Sequence, residues 1–290
     1  MNTSNLTYKD LAIPYFREVF EIIDETMQKH NVPFYLIGAS AVSLQLMKKG
    51  IKPGRGTKDI DFAIMISSYT TFKAIYKSLE ERSFTKVRAP WTFYHRGYNI
   101  VNDILPFGEI EQEFTLNFNK RKIDLHVLGL TEVVENPEEV FIEDKIAKIP
   151  ALPGMVILKL VAWSDRPEVR PKDLADILKI IEHYFEFNQE EIIESHNDIF
   201  PDEDIDLRKV AARVLGRESR EYLDSSPRLE QRVMNVLKMN IENFQDSKIV
   251  RNWAGKLTGM LSIPFLFSLN STLELQNNCE HPSNSRPSDL

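Results

Sequence analysis

The hydrophobic periodicity of this chain changes once, near residue 150, and that change constrains the fold more than any single motif. Before it, stretches of helical spacing alternate with stretches of period two; after it, every apolar stretch has helical spacing. From Tyr8 to Asn31 the residues Leu11, Phe16, Val19, Phe20, Ile23 and Met27 predict an amphipathic helix disturbed early by Pro14. "VPFYLIG" (32–38) predicts a strand, "ASAVSLQLMKK" (39–49) a packed helix and "GIKPGRG" a break, followed by a strand through Asp59 and Asp61. A helix over 69–82 precedes β segments in "FTKVRAPWTFYHRGYNIVNDILPF", "EFTLNFNKRKIDLHVLG" and the strand-like "EVFIEDKIAKIPAL".

Beyond Pro153, "MVILKLVAWSD", "KDLADILKIIEHYF", "IDLRKVAARVLGRESREYL", "SPRLEQRVMNVLKMNIENF" and "VRNWAGKLTGML" predict five helices. The fold expected is α+β: a mixed-sheet domain over 1–150, a helical C-terminal domain over 151–268 and a disordered polar tail over 269–290.

With 42% hydrophobic residues in 290, the chain can bury a core without staples. Its only cysteine, Cys279, lies in the polar tail, which excludes a disulfide framework and a cysteine-rich zinc site and fits a reducing cytoplasm. A net charge of -7 argues against a surface that binds polyanions everywhere and leaves room for a local basic patch. No leader pattern opens the sequence, and no apolar window reaches the roughly 18 to 20 residues of a membrane span, so no membrane association is expected.

"GRGTKDIDFAIM" (54–65) carries two aspartates where a strand should be buried. Alternation sends Asp59, Asp61, Ala63 and Met65 to one face and Ile60, Phe62 and Ile64 to the other. Two carboxylates side by side repel unless a cation neutralises them or one stays protonated. A hard divalent ion such as Mg²⁺, which takes oxygen ligands and shares them with substrate phosphates, is the natural remedy.

Just upstream, "YLIGASAVSL" runs from strand to helix through Gly38 and Ser40. Such a turn either binds phosphate at the helix N-terminus or is simply a tight turn. For a third carboxylate the candidates are Asp103 and Asp124. Asp103 interrupts an apolar stripe made with Val101 and Leu105, whereas Asp124 shares a solvent-type face with Lys122 and His126. The residues favour Asp103 for the site.

Taken together, "GAS", "GRGTKDIDFAI", "NDILPFGEIE", "LKLVAWSDR" and "RPKDLADIL" resemble the AbiEii-type nucleotidyltransferases of the polymerase-β superfamily, known as toxins of toxin–antitoxin systems. The resemblance spans roughly 33–220, with Ala39 standing where many superfamily members have Gly or Ser. It implies a nucleotidyltransferase domain joined to the helical domain, with the active site expected in the cleft between them. It also implies that Asp59, Asp61 and Asp103 bind two Mg²⁺ ions, that Gly38 and Ser40 hold the phosphates of an NTP donor, and that Arg55 and Thr57 touch phosphate or organise their loop.

Lys159, inside an apolar run, either snorkels along a core edge or, as the resemblance implies, reaches the nucleotide phosphates. Asp173 and Asp176 share a helix face; the resemblance favours Asp173 for catalysis and leaves Asp176 the weaker candidate. Asp165 and Arg166 read as a helix end and an ion pair. The six histidines lack metal-ligand spacing, and neither a G-x-S-x-G elbow nor a P-loop frame is present. The aromatic group Trp91, Phe93, Tyr94 and Tyr98 is expected to bury against the sheet rather than stack on a base.

The function expected is transfer of a nucleoside monophosphate from an NTP to a hydroxyl, with pyrophosphate released. The resemblance implies an RNA or tRNA acceptor and a separately encoded antitoxin as partner. Two alternatives stand beside it: modification of an aminoglycoside-type small molecule, and a non-catalytic nucleotide- or partner-binding module.

Overall fold

A computed structural model of the chain describes residues 6–52, 59–87, 89–110, 127–201, 205–242 and 248–249. By its internal contacts the chain divides into two compact units, Met1–Asp165 and Arg166–Leu290. Arg55, Thr57, Asp124, the segment 251–268 that includes most of the last expected helix, and the tail over 269–290 lie outside the described residues.

The first unit is built on a five-stranded sheet of β1 (Phe34–Ile37), β2 (Asp61–Met65), β3 (Phe84–Lys86), β4 (Thr92–His95) and β5 (Ile100–Phe107), in the order β1-β2-β5-β4-β3. β2 and β5 run parallel while the other neighbours are antiparallel, so the sheet is mixed. Period-two sequences make its strands two-faced. Leu36, Phe62, Ile64 and Ile104 are buried on one side, where α1 (Phe16–Lys29) brings Phe20 against Phe34 and Phe62 and packs beside α3 (Tyr69–Glu81). Each large apolar side chain buried in this way contributes about 1.5–3 kcal/mol.

The other side carries Tyr35, Ile37, Ala63 and Phe107, clustered with Val127, Leu130 and Val134 at the short helix α4 (Leu130–Val133). Leu158 of α5 (Leu152–Asp165) packs on this cluster. α2 (Gly38–Lys48) lies against β1, β2 and α5, and its buried Gln45 donates through Nε2 to the Pro150 carbonyl at 3.1 Å.

Two local expectations are refined. The strand-like stretch before Pro153 is a hairpin, β6 (Glu138–Ile142) and β7 (Lys145–Ile149), turned at Glu143 with φ of 51°. The strand through the two aspartates begins at Asp61, leaving Asp59 ahead of it. The compact units part after Asp165, and α5, apolar on nearly every side, packs in the first unit. Of the aromatic group, Phe93 is fully buried and Trp91, Tyr94 and Tyr98 are half-buried, with Tyr98 stacked on His95 at 4.2 Å.

The second unit is helical: α6 (Pro171–Phe187), α7 (Gln189–Ser195), a 3-10 turn at Asn197–Ile199, α8 (Leu207–Asp224) and α9 (Pro227–Glu242). Pro171 opens α6 at a position where its missing N–H costs nothing, and Asp206 caps α8 by accepting from the Arg208 amide at 3.0 Å. α8 packs between α6 and α9. No helix among the described residues is long and apolar enough to cross a membrane.

Candidate active site

β1 ends at Ile37, and Gly38, with a φ of +71°, turns the chain from strand into α2. The left-handed backbone favours glycine there, and so does the space. A Cβ on Gly38 would stand 2.4 Å from Oδ2 of Asp61, so the missing side chain is what lets the Asp61 carboxylate lie against the start of α2. The N-cap residue Ile37 contributes no side-chain cap, and the first turn of α2, with the positive end of its dipole, lies beside Asp61.

β2 places Asp61 half-buried at its first position, on the face of Ala63 and Met65, while Phe62 and Ile64 anchor the opposite face. Asp59 is exposed just ahead of the strand. Because Ile37 pairs with Asp61 and Phe62 with Ile104, Asp103 sits beside Asp61 in the parallel register and on the same sheet face. Thr92 pairs with Asp103 on the far side, and its hydroxyl donates to Asp103 Oδ1 at 2.6 Å. One row of the sheet therefore reads Ile37, Asp61, Asp103, Thr92.

Ser40 is fully buried and turns its hydroxyl to the Asp59 carbonyl at 3.3 Å, so only its backbone amide remains directed with the first turn of α2. Lys159 is buried on α5, next to Leu158 of the apolar cluster and on a helix packed against α2, which puts it in the same compact unit as the two aspartates. Asp173 belongs to the second unit. It stands in the first turn of α6, half-buried, and accepts from Arg170 Nε at 2.7 Å, where the helix dipole favours a carboxylate. Asp176 is half-buried one turn on, while Leu174, Ile177 and Leu178 line the buried side. Asp165 closes α5 and Arg166 opens the following turn with its carbonyl.

Among the described residues, no three His, Cys, Asp or Glu side chains are grouped so as to hold a metal ion. Asp59, Asp61 and Asp103 thus do not form a closed three-carboxylate cage. In kind, the donors nonetheless fit Mg²⁺: all are hard oxygens, and Gly38 clears the side of Asp61 that faces the helix.

Two buried polar residues near this site escaped the sequence reading. Asn102, on β5, is fully buried and donates from Nδ2 to the Ile60 carbonyl at 3.1 Å; Thr92 holds Asp103. The signal was available for Asn102, since it breaks an apolar stripe with Ile100 and Ile104 just as Asp103 breaks its own.

In the second unit, Tyr184 donates its hydroxyl to Glu218, His196 Nε2 lies 3.8 Å from the same carboxylate, and Arg217 grips Asp198 with two bonds of 2.9 and 2.7 Å. Burial holds the Glu218 carboxyl above its ordinary range and the His196 imidazole below its own. No feature of the linear spacing announced this network.

Comparison with known proteins gives one family. The model described as the nucleotidyl transferase AbiEii toxin of a type IV toxin–antitoxin system matches residues 26–234. A search of curated proteins finds no match. Among solved structures, an antigenic nucleotidyltransferase-like protein from Paracoccidioides brasiliensis is 13% identical, with 79% of this chain and 94% of that one covered and a TM-score of 0.39. The antibiotic-resistance factor ANT(2'')-Ia is 12% identical, with 75% and 94% covered and a TM-score of 0.39. A cytoplasmic RNA terminal U-transferase is 9% identical, with 98% and 92% covered and a TM-score of 0.30.

Proposed function

Since the chain belongs to the AbiEii nucleotidyltransferase toxin family, we propose that it transfers a nucleoside monophosphate from an NTP to a hydroxyl of an RNA, tRNA among the candidates, and releases pyrophosphate. The observation that carries the reading is the Asp61 carboxylate lying against the start of α2, with Asp59 just ahead of it and Asp103 beside it in register.

In this reading the first-turn amides of α2, from Gly38 to Ser40, receive the donor's phosphates, which a helix N-terminus favours both by hydrogen bonding and by its dipole. Asp59 and Asp61, with Asp103, would hold the divalent cation. Such an ion, Mg²⁺ by the chemistry of its donors and a pair of ions by the family resemblance, would neutralise the triphosphate and lower the pKa of a bound hydroxyl. Lys159 supplies a fixed positive charge toward the leaving phosphates. Asp173, and with it Arg55 and Thr57, stay in the reading on the family resemblance of their segments. The cytoplasm supplies both NTPs and RNA, and a separately encoded antitoxin is the partner that a type IV toxin family implies.

The test offers the full chain each α-³²P-labelled NTP together with total RNA, protein and aminoglycosides in the presence of Mg²⁺. Label should enter RNA with wild type and not with Asp61→Asn. Label entering an aminoglycoside instead moves the acceptor to a small molecule, and nucleotide binding without transfer to any acceptor refutes the enzymatic reading.

A further inference from the structure

The two aspartates at the mouth of β2 flank Ile60, and the ladder of the sheet begins only at Asp61 and Phe62. The carbonyls of Asp59 and Ile60 therefore lie ahead of the regular pairing, in the stretch where backbone direction is least fixed by the sheet. Each is met by a buried side chain from a different element. Ser40 Oγ, from the first turn of α2, donates to the Asp59 carbonyl at 3.3 Å, and Asn102 Nδ2, from β5, donates to the Ile60 carbonyl at 3.1 Å. Both side chains are fully buried, at 0% exposure.

Those two carbonyls belong to the two planar peptide units on either side of Ile60. Fixing both planes fixes φ and ψ of Ile60, and with them the separation of the Asp59 and Asp61 Cα atoms from which the two carboxylates project. Ile60 itself, at 0% exposure, anchors the same point to the core.

Asn102 shows why this is more than packing. Its Oδ1 is buried without a hydrogen-bond partner among the described residues, on a strand face it shares with Ile104. A buried amide oxygen left unpaired costs free energy that an aliphatic side chain of similar size would avoid. The amide is retained although only its N–H₂ end is used, and what that end holds is the backbone between the two carboxylates.

We propose that Ser40 and Asn102 are positioning residues that clamp the Asp59–Ile60–Asp61 backbone from its two flanks and set the spacing of the carboxylate pair for a divalent cation. The clamp rests on the reading of that pair as a cation site. It gives Ser40 a second task beside its backbone amide: the hydroxyl serves the carboxylates, not the phosphate. Outer residues that orient ligands in this way typically account for 10–100-fold in metal affinity.

The experiment titrates Mn²⁺ into the full-length protein at 10 °C and follows free Mn²⁺ by electron paramagnetic resonance, for wild type, Asp59→Asn/Asp61→Asn, Ser40→Ala and Asn102→Leu. Thermal unfolding in metal-free buffer is recorded for each. The double aspartate variant should lose binding, and Ser40→Ala and Asn102→Leu should each bind about 10–100-fold more weakly while folded at the titration temperature.

A purely structural role would lower the unfolding midpoint and leave Mn²⁺ affinity unchanged; that result overturns the clamp while the cation reading stands. Wild type and the double variant binding Mn²⁺ equally, or wild type not binding it, removes the cation reading and the clamp together. Should Asn102→Leu fail to fold, Ser40→Ala, which loses one hydroxyl, decides the question alone.

Discussion

Gly38→Ala separates the position of the Asp61 carboxylate from its charge. The new Cβ would stand 2.4 Å from Asp61 Oδ2 and 3.2 Å from both its Cβ and its Cγ, against an ordinary contact that begins at 3.4 Å. The oxygen must therefore retreat by about 1 Å, the difference between 3.4 and 2.4 Å, and a misplacement of that size costs on the order of 100-fold in rate. Stability falls as well. A left-handed backbone costs an alanine roughly 1–2 kcal/mol, and pushing Asp61 off its rotamer costs about 0.5–1.5 kcal/mol.

The sum, about 1.5–3.5 kcal/mol, corresponds to a drop in Tm of about 3–14 °C for a unit of this size. The assay compares kcat for transfer from an α-labelled NTP at 15 °C, with near-UV circular dichroism confirming that the variant is folded. A folded variant whose kcat stays within about twofold of wild type refutes the placement of Asp61 in the chemistry. An unchanged Tm refutes the close approach of Gly38 to Asp61.

Lys159→Met keeps most of the buried stem and removes the charge. If the ammonium serves the nucleotide phosphates, KM for NTP rises by about 10–100-fold, the worth of a charge-assisted hydrogen bond, with little change in Tm; a lower Tm at unchanged KM assigns Lys159 to the core edge. Glu218→Gln tests the network of the helical unit. Burial raises the Glu218 carboxyl in the folded state, so the folded chain binds that proton more tightly than the unfolded one. Wild-type stability is then greatest below the ordinary carboxylate value and declines as pH rises through the raised one. The Tm advantage of Glu218→Gln over wild type should be small near pH 4.5 and grow toward pH 7, and a difference that stays constant with pH contradicts the assignment.

Much of the fold was legible because single elements announce themselves. The spacing of Val19, Phe20, Ile23 and Met27 gave α1, and the alternation of Phe62 and Ile64 against Ala63 and Met65 gave β2. The β6–β7 hairpin was not legible, since its turn at Glu143 and Asp144 lacks the Asn-Gly or Gly signature that left-handed turn positions usually carry. Nor was the unit to which α5 belongs. A helix apolar on nearly every side has no polar face to say which core it joins, and only packing on the Tyr35–Phe107 cluster decides it.

At the site, the sequence carries residue types and order but not side-chain direction. Ser40 reads as a phosphate ligand in the strand-to-helix turn, yet its hydroxyl turns inward to Asp59. Asp103 reads as an intrusion on an apolar stripe, and its hydrogen bond to Thr92 depends on a cross-strand register that no local pattern encodes.

The central claim is that the carboxylates at the mouth of β2 carry nucleotidyl transfer. It is tested most directly by single-turnover release of pyrophosphate from an NTP in the presence of RNA and Mg²⁺, comparing wild type with a folded Asp59→Asn/Asp61→Asn variant. Release should fall by at least about 1000-fold, since removing the ligands removes most of the charge stabilisation on which phosphoryl transfer depends. Undiminished release from the folded double variant contradicts the account.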